Sequence, residues 1–194
     1  MKHASTTNKL TLKAVHPTDD RHSRDKAGAL PHAIGAQTPD RARQVVALAG
    51  DGGLTMLFGE LITLTQNNLP VKVVVFNNSS LNFVELEMKA AGFVNFGTEL
   101  QNPDFAAVAQ SLGMFGRRVE KPGDLEQALA DAFAHDGPAL VDVVTARQEL
   151  TIPPAITVEQ AKGFSLYAIR TILAGRGDEL LDLVTTNVAR RILD

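Results

Sequence analysis

Asp51 sits in the run Gly50-Asp51-Gly52-Gly53 and Asn78 closes Phe76-Asn77-Asn78, each directly after a short apolar, β-branched stretch. A carboxylate and a side-chain amide oxygen are hard ligands of the kind magnesium takes, usually together with phosphate oxygens and water. The backbone carbonyl of Ser80, just beyond, is a third candidate ligand. A single carboxylate leaves cation charge for an anionic diphosphate to neutralise, whereas two or three would repel that ligand. Gly50, Gly52 and Gly53 let backbone N–H groups approach phosphate oxygens where a helix is expected to begin at Leu54, its positive end facing them. No Gly-Lys-Ser/Thr element lies nearby, which argues against a nucleotide-hydrolysing P-loop, and no G-x-G-x-x-G run follows the strand. Gly-Asp-Gly or Asn-Asn alone is a common turn sequence. The specificity comes from the pair, each member placed after an expected buried parallel strand.

The elements that must position this pair are readable around it. Ala27, Leu30, Ala33 and Ile34 have helical spacing up to Gly35, and Pro39-Asp40 marks a loop. Gln44 to Ala49 is expected as a strand, its continuous apolar run Val45 to Ala49 suiting one buried on both faces of a parallel sheet. Leu54, Leu57, Phe58, Leu61 and Leu64 predict one amphipathic helix ending near Asn67-Asn68, and Val71 to Phe76 predicts the next buried strand. Right-handed crossover of such a unit brings both strand C-termini to one sheet edge, so Asp51 and Asn78 become neighbours. Farther on, Asn102-Pro103 reads as N-cap and first residue of a helix over Phe105 to Leu112, and Gly116 to Val119 as a short strand. Leu125 to Phe133 is amphipathic, Pro138 to Val144 is a strongly apolar strand, and Ile152-Pro153-Pro154 breaks the pattern. Thr157 with Gln160 has the form of a capping box opening a helix through Leu173. The alternation predicts an α/β fold, a doubly wound, mostly parallel sheet flanked by helices.

Composition sets outer bounds. The 194 residues, 44% hydrophobic and 21% charged, suit one soluble domain, and a net charge of −3 argues against a nucleic-acid partner. With no cysteine, disulfides, thiolate zinc sites and cysteine nucleophiles are excluded, and the chain fits a reducing cytoplasm. No apolar run approaches the roughly 20 residues that span a bilayer. His3, His16, His22, His32 and His135 have no ligand partner at useful spacing and are not offered as a site. The expected organisation is a polar lead-in over 1–26, a cofactor-binding domain over 27–175 and a C-terminal amphipathic helix over 176–194.

Gly50-Asp51-Gly52 with Asn77-Asn78 resembles the signature of the diphosphate-binding domain of thiamine diphosphate enzymes. Ala29 to Ala36, Leu69 to Phe76, Phe83 to Lys89, Ile152-Pro153-Pro154 and Glu159 to Tyr167 resemble the C-terminal third of the bacterial pyruvate oxidases, the quinone-linked pyruvate dehydrogenases. The resemblance runs from about Ala27 to the C terminus. It implies thiamine diphosphate and magnesium as cofactors, and oxidative decarboxylation of pyruvate to acetate and carbon dioxide, with FAD taking the electrons and passing them to a membrane quinone. By position it makes Asp51, Asn78 and the Ser80 carbonyl the magnesium ligands and sets Gly52 and Gly53 along the diphosphate. Phe83 and Glu87 then fall in the segment facing the reacting centre, where core packing and a solvated helix face are equal alternatives.

Departures from that family set further expectations. Its intact members carry an N-terminal domain that supplies an activating glutamate across a subunit interface, and a central FAD domain. This chain shows neither, so it is expected to be incomplete and to need a partner chain or subunit, with a homo-oligomer expected. The bulky apolar residue that bends the cofactor should lie just upstream of Ala27, where Asp25-Lys26 stand, and Met1 to Lys26 is unlike the family. Asn82 replaces a usual glycine. The alternatives are a catalytically silent truncated domain and a small subunit of a two-chain 2-oxoacid enzyme. Over 178–193, Leu180, Leu181, Val184, Val188 and Ile192 share one face; the helix is either a peripheral membrane contact or a packing helix.

Overall fold

The computed structural model describes residues 27–147 and 158–193, with side chains through 185. The lead-in over 1–26, the Ile152-Pro153-Pro154 break, the Thr157 cap, and the side chains of Val188, Arg190, Arg191 and Ile192 lie outside the described residues. The elements run α1 (Ala29–Gln37), β1 (Val46–Gly50), α2 (Asp51–Met56), α3 (Glu60–Gln66), β2 (Lys72–Asn77), α4 (Asn82–Ala90), α5 (Phe105–Ser111), β3 (Phe115–Val119), α6 (Leu125–Ala134), β4 (Ala139–Val144), α7 (Val158–Leu173) and α8 (Gly177–Leu193).

Among the described residues four parallel strands form one sheet in the order β1-β2-β4-β3, the expected α/β layer. Gly50 pairs with Phe76 and Phe76 with Val143, so β1, β2 and β4 end flush. That register brings the residue after β1 and those after β2 to the same edge.

Alternate strand residues point to opposite faces and meet different helices. On one face Ala47, Ala49, Val73, Val75 and Leu140 pack with Leu30 and Ala33 of α1, Leu61 and Leu64 of α3, and Phe105 and Ala109 of α5. On the other, Ala128 and Ala132 of α6 cover Val119, Ala139 and Val141. The coverage by α6 does not reach β1, whose Leu48 is 58% exposed. The expectation that this strand is buried on both faces is thereby corrected: among the described residues β1 is an edge strand with one face open.

The helix expected over 54–68 is two helices. It starts at Asp51, and Leu57 leaves the helical region (φ −128°, ψ 39°) before Gly59 caps α3. The break lets Phe58 meet the ring of Phe105 edge-on, with centroids 5.7 Å apart. Outside the sheet, α7 packs on α4 and α8 on α7. Gly163 makes the α4 crossing possible, because a Cβ there would run into the carbonyl of Ala90.

Candidate functional site

Asp51 opens α2 at the C-terminal end of β1 and is only 3% exposed. Burial of a carboxylate requires donors, and three surround it. Oδ1 accepts from the Gly52 amide (2.9 Å), and Oδ2 from the Ser79 amide (2.7 Å) and Asn102 Nδ2 (2.7 Å). The turn after β2 therefore wraps onto Asp51, and the juxtaposition of the Asp51 and Asn78 segments is realised. Ser79 takes a positive φ of 56° to aim its N–H there, and the Ser80 amide donates to Asn78 Oδ1 at 3.0 Å.

A carboxylate offers about four lone-pair positions, so three bonds leave room for a cation on Oδ1. Asn78 Oδ1 and the Ser80 backbone lie against each other in the turn that closes on Asp51, and among the described residues no group of three or more His, Asp or Glu side chains is placed to hold a metal. The donor set is thus one carboxylate among neutral oxygens, which suits magnesium shared with phosphate.

Gly52 has a reason besides the one expected. A Cβ on Gly52 would lie 2.5 Å from Leu81 Cδ2 and 3.3 Å from Leu100 Cδ1, and its amide is spent on Asp51. Gly52 is thus a packing requirement beneath the two loops. A Cβ on Gly50 would meet nothing.

Asn102 is corrected from helix cap to site residue. Asp104 caps α5 instead, its carboxylate accepting from the Ala107 amide at 2.9 Å. Asn102 Nδ2 bridges Asp51 Oδ2 and Asn77 Oδ1 (2.9 Å). Asn77 Nδ2 in turn donates to the fully buried Asp142 at 2.9 Å, and Arg118 Nη1 donates to the other Asp142 oxygen at 2.7 Å. Asp142 accepts only, so it dictates which way the Asn77 amide faces and, through it, the Asn102 amide.

Residues 27–143 match the family described as thiamine pyrophosphate enzyme, C-terminal TPP binding domain. The chain belongs to that family. Among its relatives is a Bacillus subtilis protein named "Putative thiamine pyrophosphate-containing protein YdaP", 38% identical over 154 residues, covering 79% of this chain and 27% of the relative. A "Pyruvate oxidase" of Lactiplantibacillus plantarum is 37% identical over 141 residues, covering 70% and 23%. A "Probable acetolactate synthase large subunit" of Methanococcus aeolicus is 37% identical over 117 residues, covering 58% and 19%. The chain thus spans about a quarter of the length of these relatives or less. Acetolactate synthases stand beside the pyruvate oxidase, so membership is shown for the thiamine pyrophosphate enzymes as a whole.

In this thiamine pyrophosphate-binding domain, Phe83 and Glu87 share the outer face of α4, Phe83 being 63% exposed. The opposite face carries a fully buried ion pair that sequence reasoning missed, Glu85 with Lys89, 3.4 Å apart. Burial pushes the Glu85 carboxyl up, but hydrogen bonds from Ser80 and Thr98 and the Lys89 ammonium outweigh it, leaving the group below the usual carboxylate range. Burial lowers Lys89, and the attraction of Glu85 offsets this only in part. The available signal was the i, i+4 spacing of glutamate and lysine, which occurs as readily on a solvated face.

Proposed function

We propose that this domain holds the diphosphate end of thiamine diphosphate through magnesium bound by Asp51, Asn78 and the Ser80 carbonyl, with Gly53 and Gly50 beside the phosphates. The observation that carries the reading is the closure of the Ser79-Ser80 turn onto the buried Asp51 carboxylate at 2.7 Å. Thiamine diphosphate supplies the carbon nucleophile and electron sink of its reactions. The residues here bind and orient: Asp51 contributes charge, Asn78 and Ser80 contribute neutral oxygens, and the Asp142-Asn77-Asn102 chain holds the Asp51 carboxylate still.

The substrate reading is pyruvate, oxidatively decarboxylated in the manner of a pyruvate oxidase, with a partner chain or subunit contributing the activating glutamate and the FAD site, in a homo-oligomer. Its support is the 37% identity with a pyruvate oxidase over 70% of the chain. Contact of 178–193 with a membrane, which would serve a quinone acceptor, is supported by the exposure of Leu181 and Val184 on α8. The acetolactate synthase relatives favour a second reading, in which acetolactate is the product.

Calorimetric titration of the chain with thiamine diphosphate and magnesium, repeated on Asp51→Ala, tests the site. Binding by the parent and its loss in the variant is the expected result; equal binding by both refutes the metal assignment. Turnover of pyruvate with an artificial acceptor, scored for acetate against acetolactate, separates the two chemistries. Binding without turnover by this chain, alone or supplied with a partner chain carrying the activating glutamate and the FAD site, marks a silent cofactor-binding domain.

A further inference from the structure

We infer that Glu85 is a positioning residue for the metal and diphosphate end of the site, acting through Ser80; this rests on the assignment of Asp51, Asn78 and Ser80 proposed above. Glu85 touches none of the proposed ligand atoms. Its Oε1 accepts from Ser80 Oγ (2.5 Å) and Thr98 Oγ1 (2.9 Å), and its Oε2 from Asn95 Nδ2 (3.2 Å) and Lys89 Nζ (3.4 Å). Arg147, just past β4, places Nη2 3.6 Å from Oε1. One carboxylate on α4 thus gathers the turn after β2, the 95–99 loop and the end of β4.

Two of those stretches also pair through their backbones. The Leu81 amide donates to the Thr98 carbonyl (2.9 Å) and the Leu100 amide to the Ser79 carbonyl (3.0 Å), with Ser80 bridged antiparallel to Glu99. The orientation of the Ser80 peptide, and so of its carbonyl, is set by this pairing. Glu85 clasps it from beneath by holding Ser80 and Thr98 to one oxygen. The same loop goes on to Leu100, packed over Gly52, and to Asn102 on Asp51. The side-chain hydroxyls of the ligand-bearing turn and of the loop paired with it, Ser80 Oγ and Thr98 Oγ1, thus converge on this carboxylate. The clasp requires an acceptor at Oε1, whereas the charge of Glu85 answers the buried Lys89.

These two demands can be separated by substitution. Glu85→Gln with Lys89→Met keeps an oxygen for the two hydroxyls and removes the ammonium. The new amide N–H finds Asn95 Oδ1, which accepts no bond among the described residues and reaches Glu85 by a turn of the Asn95 amide. Glu85→Leu with Lys89→Met removes the acceptor as well, and Ser80→Ala removes one hydroxyl while keeping the backbone carbonyl.

The test measures magnesium-dependent binding of thiamine diphosphate to the full chain by calorimetry, and amide hydrogen exchange at Leu81 and Leu100 without ligand. Ser80→Ala and the Leu/Met pair are expected to weaken magnesium affinity about tenfold and to speed exchange at both amides, while the Gln/Met pair stays within about twofold of the parent. Rescue by the Gln/Met pair is an outcome a merely stabilising ion pair would not give. Equal weakening in the Gln/Met and Leu/Met pairs, or parental affinity in all three variants, overturns the inference while leaving the site reading intact if Asp51→Ala still abolishes binding. A parent chain that binds no thiamine diphosphate overturns both, since the calorimetry then shows no magnesium-dependent affinity for Glu85 to support.

Discussion

Substituting Asn102 by aspartate distinguishes a site residue from a helix cap, because the two roles require opposite signs. Asparagine and aspartate are about equally good N-caps, so a capping Asn102 would make Asn102→Asp neutral, or slightly stabilising at a helix N-terminus. In the structure the Asn102 amide donates 2.7 Å to Asp51 Oδ2 and 2.9 Å to Asn77 Oδ1. Asn102→Ala loses a hydrogen bond to a charged group, worth about 1.5–3 kcal/mol when buried, and one to a neutral group. The site is half-buried and water can replace part of this, so a loss of about 1–2 kcal/mol is expected. Asn102→Asp loses the same donor and sets a second carboxylate against Asp51. Two unit charges 4 Å apart at an effective dielectric of 20 repel by about 4 kcal/mol, and exposure to water reduces this to about 1–3 kcal/mol beyond the alanine variant. Urea unfolding at pH 7 measures both losses. Two further signs follow: the gap between the Asp and Ala variants closes as pH falls through the carboxylate range, and magnesium narrows it by neutralising the paired acids. An Asn102→Asp protein as stable as the parent would refute the placement of Asn102, and a gap indifferent to magnesium would refute Asp51 as a ligand.

Asp104→Ala removes the actual cap of α5 and is expected to cost about 1 kcal/mol in urea unfolding, with cofactor affinity unchanged. Gly52→Ala forces a Cβ to 2.5 Å from Leu81 and should cost about 1–3 kcal/mol, much of it recovered in a double variant with Leu81→Ala; purely additive losses would show that the crowding lies elsewhere. Lys72, buried in β2, donates to the carbonyls of His135 and Gly137 (both 2.6 Å), and burial holds its pKa below 10.5, with Asp136 offsetting part of the shift. Between that lowered value and 10.5 the unfolded chain retains a proton the folded chain has lost, so stability relative to Lys72→Met should rise with pH across this window. A difference that is flat or falls there contradicts the assignment.

The parts of this site legible in the sequence share a physical cause. Val45 to Ala49 and Val71 to Phe76 are read as parallel strands from local composition, and parallel connection then places Asp51 and Asn78 together whatever the rest of the chain does. What escaped depends on tertiary partners. Asn102-Pro103 has the form of a cap, but the chain uses the next acceptor, Asp104, because the Asn102 amide is drawn to Asp51. The run 54–64 keeps helical period across Leu57 to Gly59, since period records which face is apolar and not whether Phe58 must turn to reach Phe105. Asp142 falls inside a stretch read only as a strongly apolar strand, and its partners Asn77 and Arg118 lie on two other strands. Glu85 and Lys89 carry no local mark of burial at all.

The two-sided charge pattern of α4 has an evolutionary consequence. Turning the helix by one residue would drag the Glu85–Lys89 pair out of its donors, so the helix is keyed in a single rotation. Positions 83 and 87 on its outer side are thereby presented at a constant angle by residues that do not themselves face outward. The outer side of the helix can therefore vary in sequence while the rotation that presents it is held by the buried pair on the other side.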